Sequence, residues 1–529
     1  MQRDTVLLAS SWAMTLTAST LMTSAGPLAA KSAGAGNALA PFTVGAFLLG
    51  AALVSGPSDV MFERWGRRGG FVFGCLVGGL GGAVGAFALE FGGGKRKVWP
   101  FIIVACFLIG VSQGVGQFLR FAASELWDRE ADRARAVTYC LSGGVVAAFA
   151  GPTAAVHSRT LGPIFTVTFS GCFALVIVVN ALNLLFIMGV RFKDVTKPRK
   201  NAAQKQIAFA LLTTHSSHDY SSPQNDDDDD SDDESGEKND ETTQKKIAPP
   251  LKKKEEDEDY YQKGSRGGSL SLLVEEGEEE GDNEEEVPRR RALEILSTSR
   301  CACAVAVASL AHTSMVMLMS CLTLAMHDRG FSFKVTCLTM ELHFLSMYLP
   351  GLLGASAFIR KAGPYLASVA GLAIYALSAL ILATRQSLLG FISGMVFCGI
   401  AWNLCFSSAT VLLTTCYTSQ EALMVQAIND LIIFGLAGSG SFVSGYIYDA
   451  LGWLNLIFIV AVFMALFAIV LAYSLLIDNN NKQKEITPLL ETTDLTDDRL
   501  PIVLLTTEKQ QDREQLNLAS SHDETTTTS

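Results

Sequence analysis

The sequence predicts an all-α membrane protein: twelve transmembrane helices in two pseudo-symmetric six-helix bundles. Three observations carry this. Of 529 residues, 49% are hydrophobic and 18% charged, with mean hydropathy +0.30, whereas a soluble enzyme of this size is about one quarter charged. The apolar residues gather in runs long enough to cross a bilayer, six before and six after a central acidic block. That block sets the net charge of −11, and without it two similar apolar halves of about 190 and 180 residues remain. This balance argues against a nucleic-acid binder, a secreted disulfide scaffold and a cytosolic enzyme.

A helix needs about 20 apolar residues to cross a hydrocarbon core about 30 Å thick. The first half offers Thr5–Ala29, Ala38–Val60, Gly69–Leu89, Val98–Ala123, Ala134–Val156 and Gly162–Val190. The second offers Cys301–Met326, Val335–Phe358, Pro364–Ala383, Leu388–Leu413, Ala422–Ile447 and Trp453–Ile477. Lipid gives the backbone no hydrogen bonds, so runs of this length must be helices. The first is too long for a signal-peptide core and reads as an uncleaved span. The organisation is then 1–190 for one bundle, 191–297 for an acidic cytoplasmic linker, 298–478 for the second bundle and 479–529 for a cytoplasmic tail.

Basic residues favour one side about two to one: Arg3, Arg64, Arg67, Arg68, Arg129, Arg133, Arg135, Arg360 and Lys361, joined by Arg191, Lys193, Lys197, Arg199, Lys200, Arg289, Arg290, Arg291 and Arg300 flanking the linker, stand against Lys31, Lys95, Arg96, Lys97, Arg159, Arg329, Lys334 and Arg385. The positive-inside rule then puts both termini and the linker in the cytoplasm, with Lys95–Lys97 as local dissent. Asp226–Asp230 and the glutamates of Glu275–Glu286 repel one another and cannot bury an apolar core, so the linker should be disordered. Ser231 and Ser235 among these acids offer a phosphoregulatory alternative. In the tail, Glu485, Leu489 and Leu490 have the spacing of an acidic dileucine sorting signal, an address read by an adaptor and compatible with plasma or vacuolar/endolysosomal membrane.

The loop between spans two and three reads Glu63-Arg64-Trp65-Gly66-Arg67-Arg68. Gly66 supplies a permissive backbone for the tight turn, and the arginines face Glu125 and Asp128 at the end of span four as candidate partners of an ion-pair latch. Its weaker counterpart in the second half is Arg360-Lys361-Ala362-Gly363. This loop, and two six-span halves joined by a long linker, resemble the major facilitator superfamily, whose halves are repeats around a central cavity. Asp59 stands where that family's pattern has a glycine. Arg120-Phe121-Ala122-Ala123, Gly143-Gly144, Gly151-Pro152, Ala325-Met326-His327, Gly399–Asn403 and Gln426–Asp430 resemble a bacterial efflux-type branch. The resemblance implies secondary transport of a small molecule, with export favoured over uptake and antiport suggested by the Gly-Pro of span five.

Ionisable and polar groups within spans face the bundle interior or a wet cavity. Gln113, Gln117 and Arg120 share one face of span four, and Gln426, Asn429 and Asp430 form a second stripe in span eleven. Span ten contributes Asn403, with Trp402 placed to stack an aromatic cargo. These are the candidate substrate contacts, although glutamines and serines serve equally as interhelical glue. His343, Glu341 and His312 are the candidates for proton coupling. No Walker motif, metal-spaced cluster or nucleophile–base pair is visible, so no cofactor or metal is expected and energy must come from a gradient. The eleven cysteines fall in or at the edge of apolar runs and read as small packing residues. The sequence therefore describes a transporter working by alternating access, with a small-molecule cargo and protons as partners. A non-transporting receptor or scaffold on the same fold, signalling through linker and tail, is the alternative.

Overall fold

The computed structural model describes residues 3–92, 98–127, 129–162, 164–192, 290–418 and 421–491. The linker with Ser231 and Ser235, and the tail beyond 491, lie outside the described residues, as do the side chains of Glu485, Leu489 and Leu490. The first half comprises α1 (Arg3–Ser32), α2 (Phe42–Ser55), α3 (Ser58–Gly92), α4 (Trp99–Gly116), α5 (Leu119–Glu125), α6 (Glu130–Ser158) and α7 (Ser170–Gly189). The second comprises α8 (Ala292–Leu296), α9 (Ser299–Asp328), α10 (Phe333–Pro350), α11 (Ser356–Ala362), α12 (Pro364–Thr384), α13 (Leu388–Thr414) and α14 (Ala422–Glu491). Among the described residues, ten helical stretches are long and apolar enough to cross a membrane. The shorter apolar α2 and the turn that Gly452 makes inside α14 are consistent with twelve crossings. Apolar side chains are also turned outward, as on α3 at Leu76, Leu80, Phe87 and Phe91. A bilayer, not water, is the solvent that such a face suits.

Two spans expected to be continuous are broken. Span four splits into α4 and α5 at Gln117-Phe118, just after Gly114 and Gly116, which lie close against α2 and α1. Span eight splits into α10 and α11. There Pro350 removes a backbone donor, a π-helical turn follows over Gly351–Ala355, and Gly354 takes φ +127°.

The internal repeat is visible in backbone angles. Gly66 has φ 71° and ψ 169°, and its counterpart Gly363 has φ 82° and ψ 156°. Only glycine adopts this region without strain. A Cβ at either position would meet nothing within 4 Å, so the cost of a side chain there is purely conformational. Gly66→Ala and Gly363→Ala should each destabilise the protein by about 1–3 kcal/mol, read by thermal unfolding in detergent. Wild-type melting of both variants would show that these turns carry no such constraint.

The centre of the fold is built on the first helix of each half. Every residue of α1 from Thr15 to Ala30 is buried, and so is every residue of α9 from Ala311 to Met326. α1 packs on α6 and α7, and α9 on α13 and α14, while α2–α14 and α6–α10 join the halves. Small residues permit the closest approaches. A Cβ on Gly45 would stand 2.9 Å from the Gly438 carbonyl, and one on Gly151 would strike Thr20 Oγ1 at 1.9 Å. The Gly151-Pro152 pair thus lies against α1. Polar side chains bond between helices of the first half: Ser11 donates to Asn183, Asn183 Nδ2 to Thr15 Oγ1 at 3.0 Å, and Thr20 to the Ala147 carbonyl at 2.9 Å.

Where the linker re-enters the second half, Arg290 clamps Glu421, the residue preceding α14. Nε and Nη2 donate to the two carboxylate oxygens at 3.0 and 2.8 Å, and the Thr418 N–H donates at 2.9 Å. The Arg290 bond, with the backbone donors, holds the Glu421 carboxyl down to about 2. A depressed carboxylate pKa contributes stability that is complete above the unfolded value and fades only as pH falls toward the folded one. This clamp is therefore constant across physiological pH.

Candidate functional site

The end of the bundle carrying the Arg64–Arg68 loop is its basic end. Here α5 of the first half meets α14 of the second: Arg120 Nη2 lies 3.5 Å from Asp430 Oδ2. Asn429 Nδ2 donates to the other Asp430 oxygen at 3.3 Å, and the Arg120 guanidinium sits 4.9 Å from the Phe121 ring centroid. At 3.5 Å the pair is an ion pair without a tight hydrogen bond, and Arg120 Nε is buried with no partner.

The opposite end is also bridged between the halves. Lys31, closing α1, pairs with Asp328, closing α9, at 2.7 Å, and Tyr448 donates to the second Asp328 oxygen at 2.8 Å. Arg159 lies over both Phe169 of the first half and Phe333 of the second, 5.1 and 5.0 Å from their centroids. Thr153 of α6 donates to Glu341 of α10 at 3.0 Å. The first helices of the two halves thus end in opposite charges that meet, a signal present in the sequence but meaningful only once the repeat brings these ends together.

Between these closures an aromatic cluster surrounds His312 on α9. Trp402 Nε1 donates to His312 Nδ1 at 2.9 Å, which makes Nδ1 the acceptor and puts the proton of a neutral ring on Nε2. The Trp402 and Phe406 rings stack with centroids 4.8 Å apart and planes 20° apart. Phe406 and Phe434 approach the imidazole at 5.9 and 5.6 Å. Phe434 stands one turn along α14 from Asp430. Two sequence candidates, His312 and Trp402, are therefore brought together, and Phe406 and Phe434, one turn from Trp402 and Asp430, complete the group. Their apolar type had concealed them among packing residues.

The other candidates are dispersed. Gln113 accepts from Ser19 of α1, and Asn403 donates to the Met347 carbonyl at 2.7 Å, so both tie helices together. Gln117 lies partly exposed in the break between α4 and α5. His343 is fully buried within the second half, its Nδ1 2.8 Å from the Met395 carbonyl and its Nε2 without a partner. Glu341, two residues away, faces α6 instead. In the signature loop, Arg67 forms a bidentate pair with Glu125, and Arg68 donates to the Val190 carbonyl at 2.7 Å. Both contacts lie within the first half, fastening α3 to α5 and to the end of α7. Arg120–Asp430 is an ion pair across the halves at this end. Glu63 and Arg64 are exposed, and Asp128 lies outside the described residues.

A cavity of about 660 Å³ lies between α9 and α14, with apolar walls including Val305, Leu310, Met317, Leu436, Val443 and Phe463. It contains none of the candidate polar residues, so it is not the site they form. Among the described residues no three His, Cys, Asp or Glu side chains converge as a metal site requires.

Comparison with known proteins agrees with this architecture. The chain is 24% identical over 455 residues to the riboflavin transporter RfnT of Brucella anthropi, an alignment covering 85% of this chain and 90% of that protein. Its fold is similar to the xylose transporter XylE from E. coli (12% identity, TM-score 0.56, 88% and 95% of the two chains). It is similar too to the nucleoside transporter NupG (12% identity, TM-score 0.55, 90% and 99%). Residues 7–368 match the Major Facilitator Superfamily, and this chain belongs to that family of membrane transporters.

Proposed function

We propose that this protein is a proton-coupled secondary transporter of a planar heteroaromatic metabolite of the flavin type. The observation that carries the reading is the His312–Trp402–Phe406–Phe434 cluster, set along the helices between two inter-half ion pairs. Stacked aromatic rings offer π-faces to a flat ring system, and an imidazole among them adds one polar contact. The likeness to a riboflavin transporter points to the same ligand chemistry. With both ends bridged, the structure resembles an occluded intermediate, in which the cargo would be shut off from both sides. The basic end faces the cytoplasm, following its arginines, and the direction favoured is export.

Coupling follows from the loose Arg120–Asp430 pair. Protonation of Asp430 removes its charge, releases Arg120 and frees the basic end to open; deprotonation restores the pair. Differential stabilisation of these states by cargo and proton is what links the two fluxes. Asp430 and Glu341, which contact the other half, suit this role better than His343, which is enclosed in one bundle.

The test is flux of labelled riboflavin in proteoliposomes of the purified protein under an imposed pH gradient. Saturable flux that a protonophore abolishes is the expected result; absence of both flux and thermal stabilisation by any flavin overturns the cargo assignment. Deleting Pro223–Glu286 should leave flux within about twofold of the full chain, because a linker of this composition connects without packing. Loss of flux on that deletion would instead favour a signalling role for the acidic segment.

A further inference from the structure

We propose that the cavity of about 660 Å³ between α9 and α14 is a binding site for an isoprenoid quinone, a neutral dicarbonyl ring with an apolar tail, taken up from the bilayer. Its volume is that of a small-molecule site, about 300–1,000 Å³. Among the described residues, those lining it include no ionisable side chain, which disfavours ions and charged headgroups in its interior. The α9 wall runs through Ala302, Val305, Ser309, Thr313 and Met317, one helix face about 22 Å long. The α14 wall runs through Ile432, Leu436, Ser439 and Val443. Leu436 and Val443 are 51% and 52% exposed, so this wall gives onto the lipid-facing surface. A Cβ on Gly440 would stand 2.7 Å from Thr313 Cγ2, so the two helices touch there.

One hydroxyl in this apolar lining selects the ligand. Ser309 is 3% exposed and its Oγ has no hydrogen-bond partner, whereas Ser439 on the facing helix donates to the Gly435 carbonyl at 2.9 Å. A buried hydroxyl left unpaired is destabilising, and a ligand carbonyl that accepts its proton relieves that cost. Ser309 stands about 15 Å along α9 from Ser299, half the depth of a hydrocarbon core about 30 Å thick. Phospholipids and sterols keep their oxygens at the bilayer surface, where water satisfies them. A ligand that brings an oxygen to this depth must be neutral and dissolve in the hydrocarbon itself, and an isoprenoid quinone meets both conditions. Its ring carbonyl accepts from Ser309, and its tail leaves past Leu436 and Val443 into the lipid. The same helices carry His312, between Ser309 and Thr313 in the chain, and Phe434, between Ile432 and Leu436, whose rings approach at 5.6 Å. An occupant therefore fixes the spacing of the two helices that hold the aromatic cluster.

The experiment uses the full-length protein in phosphatidylcholine nanodiscs and a short-chain ubiquinone carrying an aryl azide on its tail. Photolysis, digestion and mass spectrometry should place saturable adducts on peptides spanning 302–317 or 432–443, and the unmodified short-chain ubiquinone should displace them. Ser309→Ala should raise the half-displacing concentration by roughly fivefold to tenfold, the loss of one hydrogen bond, and leave the melting temperature unchanged or slightly higher. Ala306→Trp fills the cavity and should abolish saturable labelling; Leu436→Trp makes the same test from the facing wall should the first variant fail to fold. Displacement by cholesterol as strong as by the quinone, or labelling that does not saturate above the phosphatidylcholine background, would overturn the proposal. So would adducts that map to other helices, or labelling indifferent to Ser309→Ala and to both tryptophans. None of these readouts depends on the cargo.

Discussion

Asp430→Asn should reduce transport by roughly 30- to 100-fold in proteoliposomes, because it strands the Arg120 guanidinium between the halves without its counter-charge. Removing one partner of a fully buried pair costs about 3–5 kcal/mol, and partial exposure of Arg120 lowers this to about 2–3 kcal/mol. The loss should fall on coupled flux more than on cargo binding, since the proposed carboxylate carries the proton rather than the ring system. Exchanging the charges, Arg120→Asp with Asp430→Arg, should recover part of the activity if attraction between the halves is what matters. Arg120→Gln should resemble Asp430→Asn in rate but leave a carboxylate that still titrates, so its pH profile should be displaced rather than flattened. Wild-type flux and pH dependence in Asp430→Asn would remove this pair from the mechanism.

Trp402→Ala should weaken cargo binding by roughly 30-fold, about 2 kcal/mol, the scale for removing a partly buried tryptophan from a binding site. The change deletes the stack on Phe406 and the N–H donated to His312. Trp402→Phe separates the two contributions, since it keeps a π-face and loses only the donor; its deficit should be well under half as large in free energy. His312→Gln keeps an acceptor for Trp402 and should bind nearly as well. Isothermal titration with riboflavin reads all three. Equal affinities for wild type and Trp402→Ala, with melting temperatures preserved, would detach the cluster from recognition.

Much of the architecture was legible because bilayer physics leaves little choice. Runs such as Cys301–Met326 must be helical in hydrocarbon, and α9 spans Ser299–Asp328. The repeat was legible in the glycines of the two short loops, since only that residue tolerates the backbone angles found at Gly66 and Gly363. The breaks at Gln117 and Pro350 were not anticipated from apolar content, because hydropathy averages over the local backbone geometry where proline and glycine act.

The candidate site was legible in residue type and obscure in partnership. Arg120 and Asp430 were conspicuous as charges within apolar runs, and only the structure shows that they lie against each other across the halves. Gln113 and Asn403 carry the same polar signature and bond instead to Ser19 and the Met347 carbonyl. Sequence alone determined that this chain crosses a membrane as two related halves, because the cost of exposing backbone and charge to lipid acts on each segment separately. Tertiary structure decided that Lys31 meets Asp328, that Arg120 meets Asp430, and that His312 sits among three aromatic rings. Those pairings join positions hundreds or tens of residues apart, and the rotation of each helix about its axis, which sets them, is a property of packing that no single segment contains.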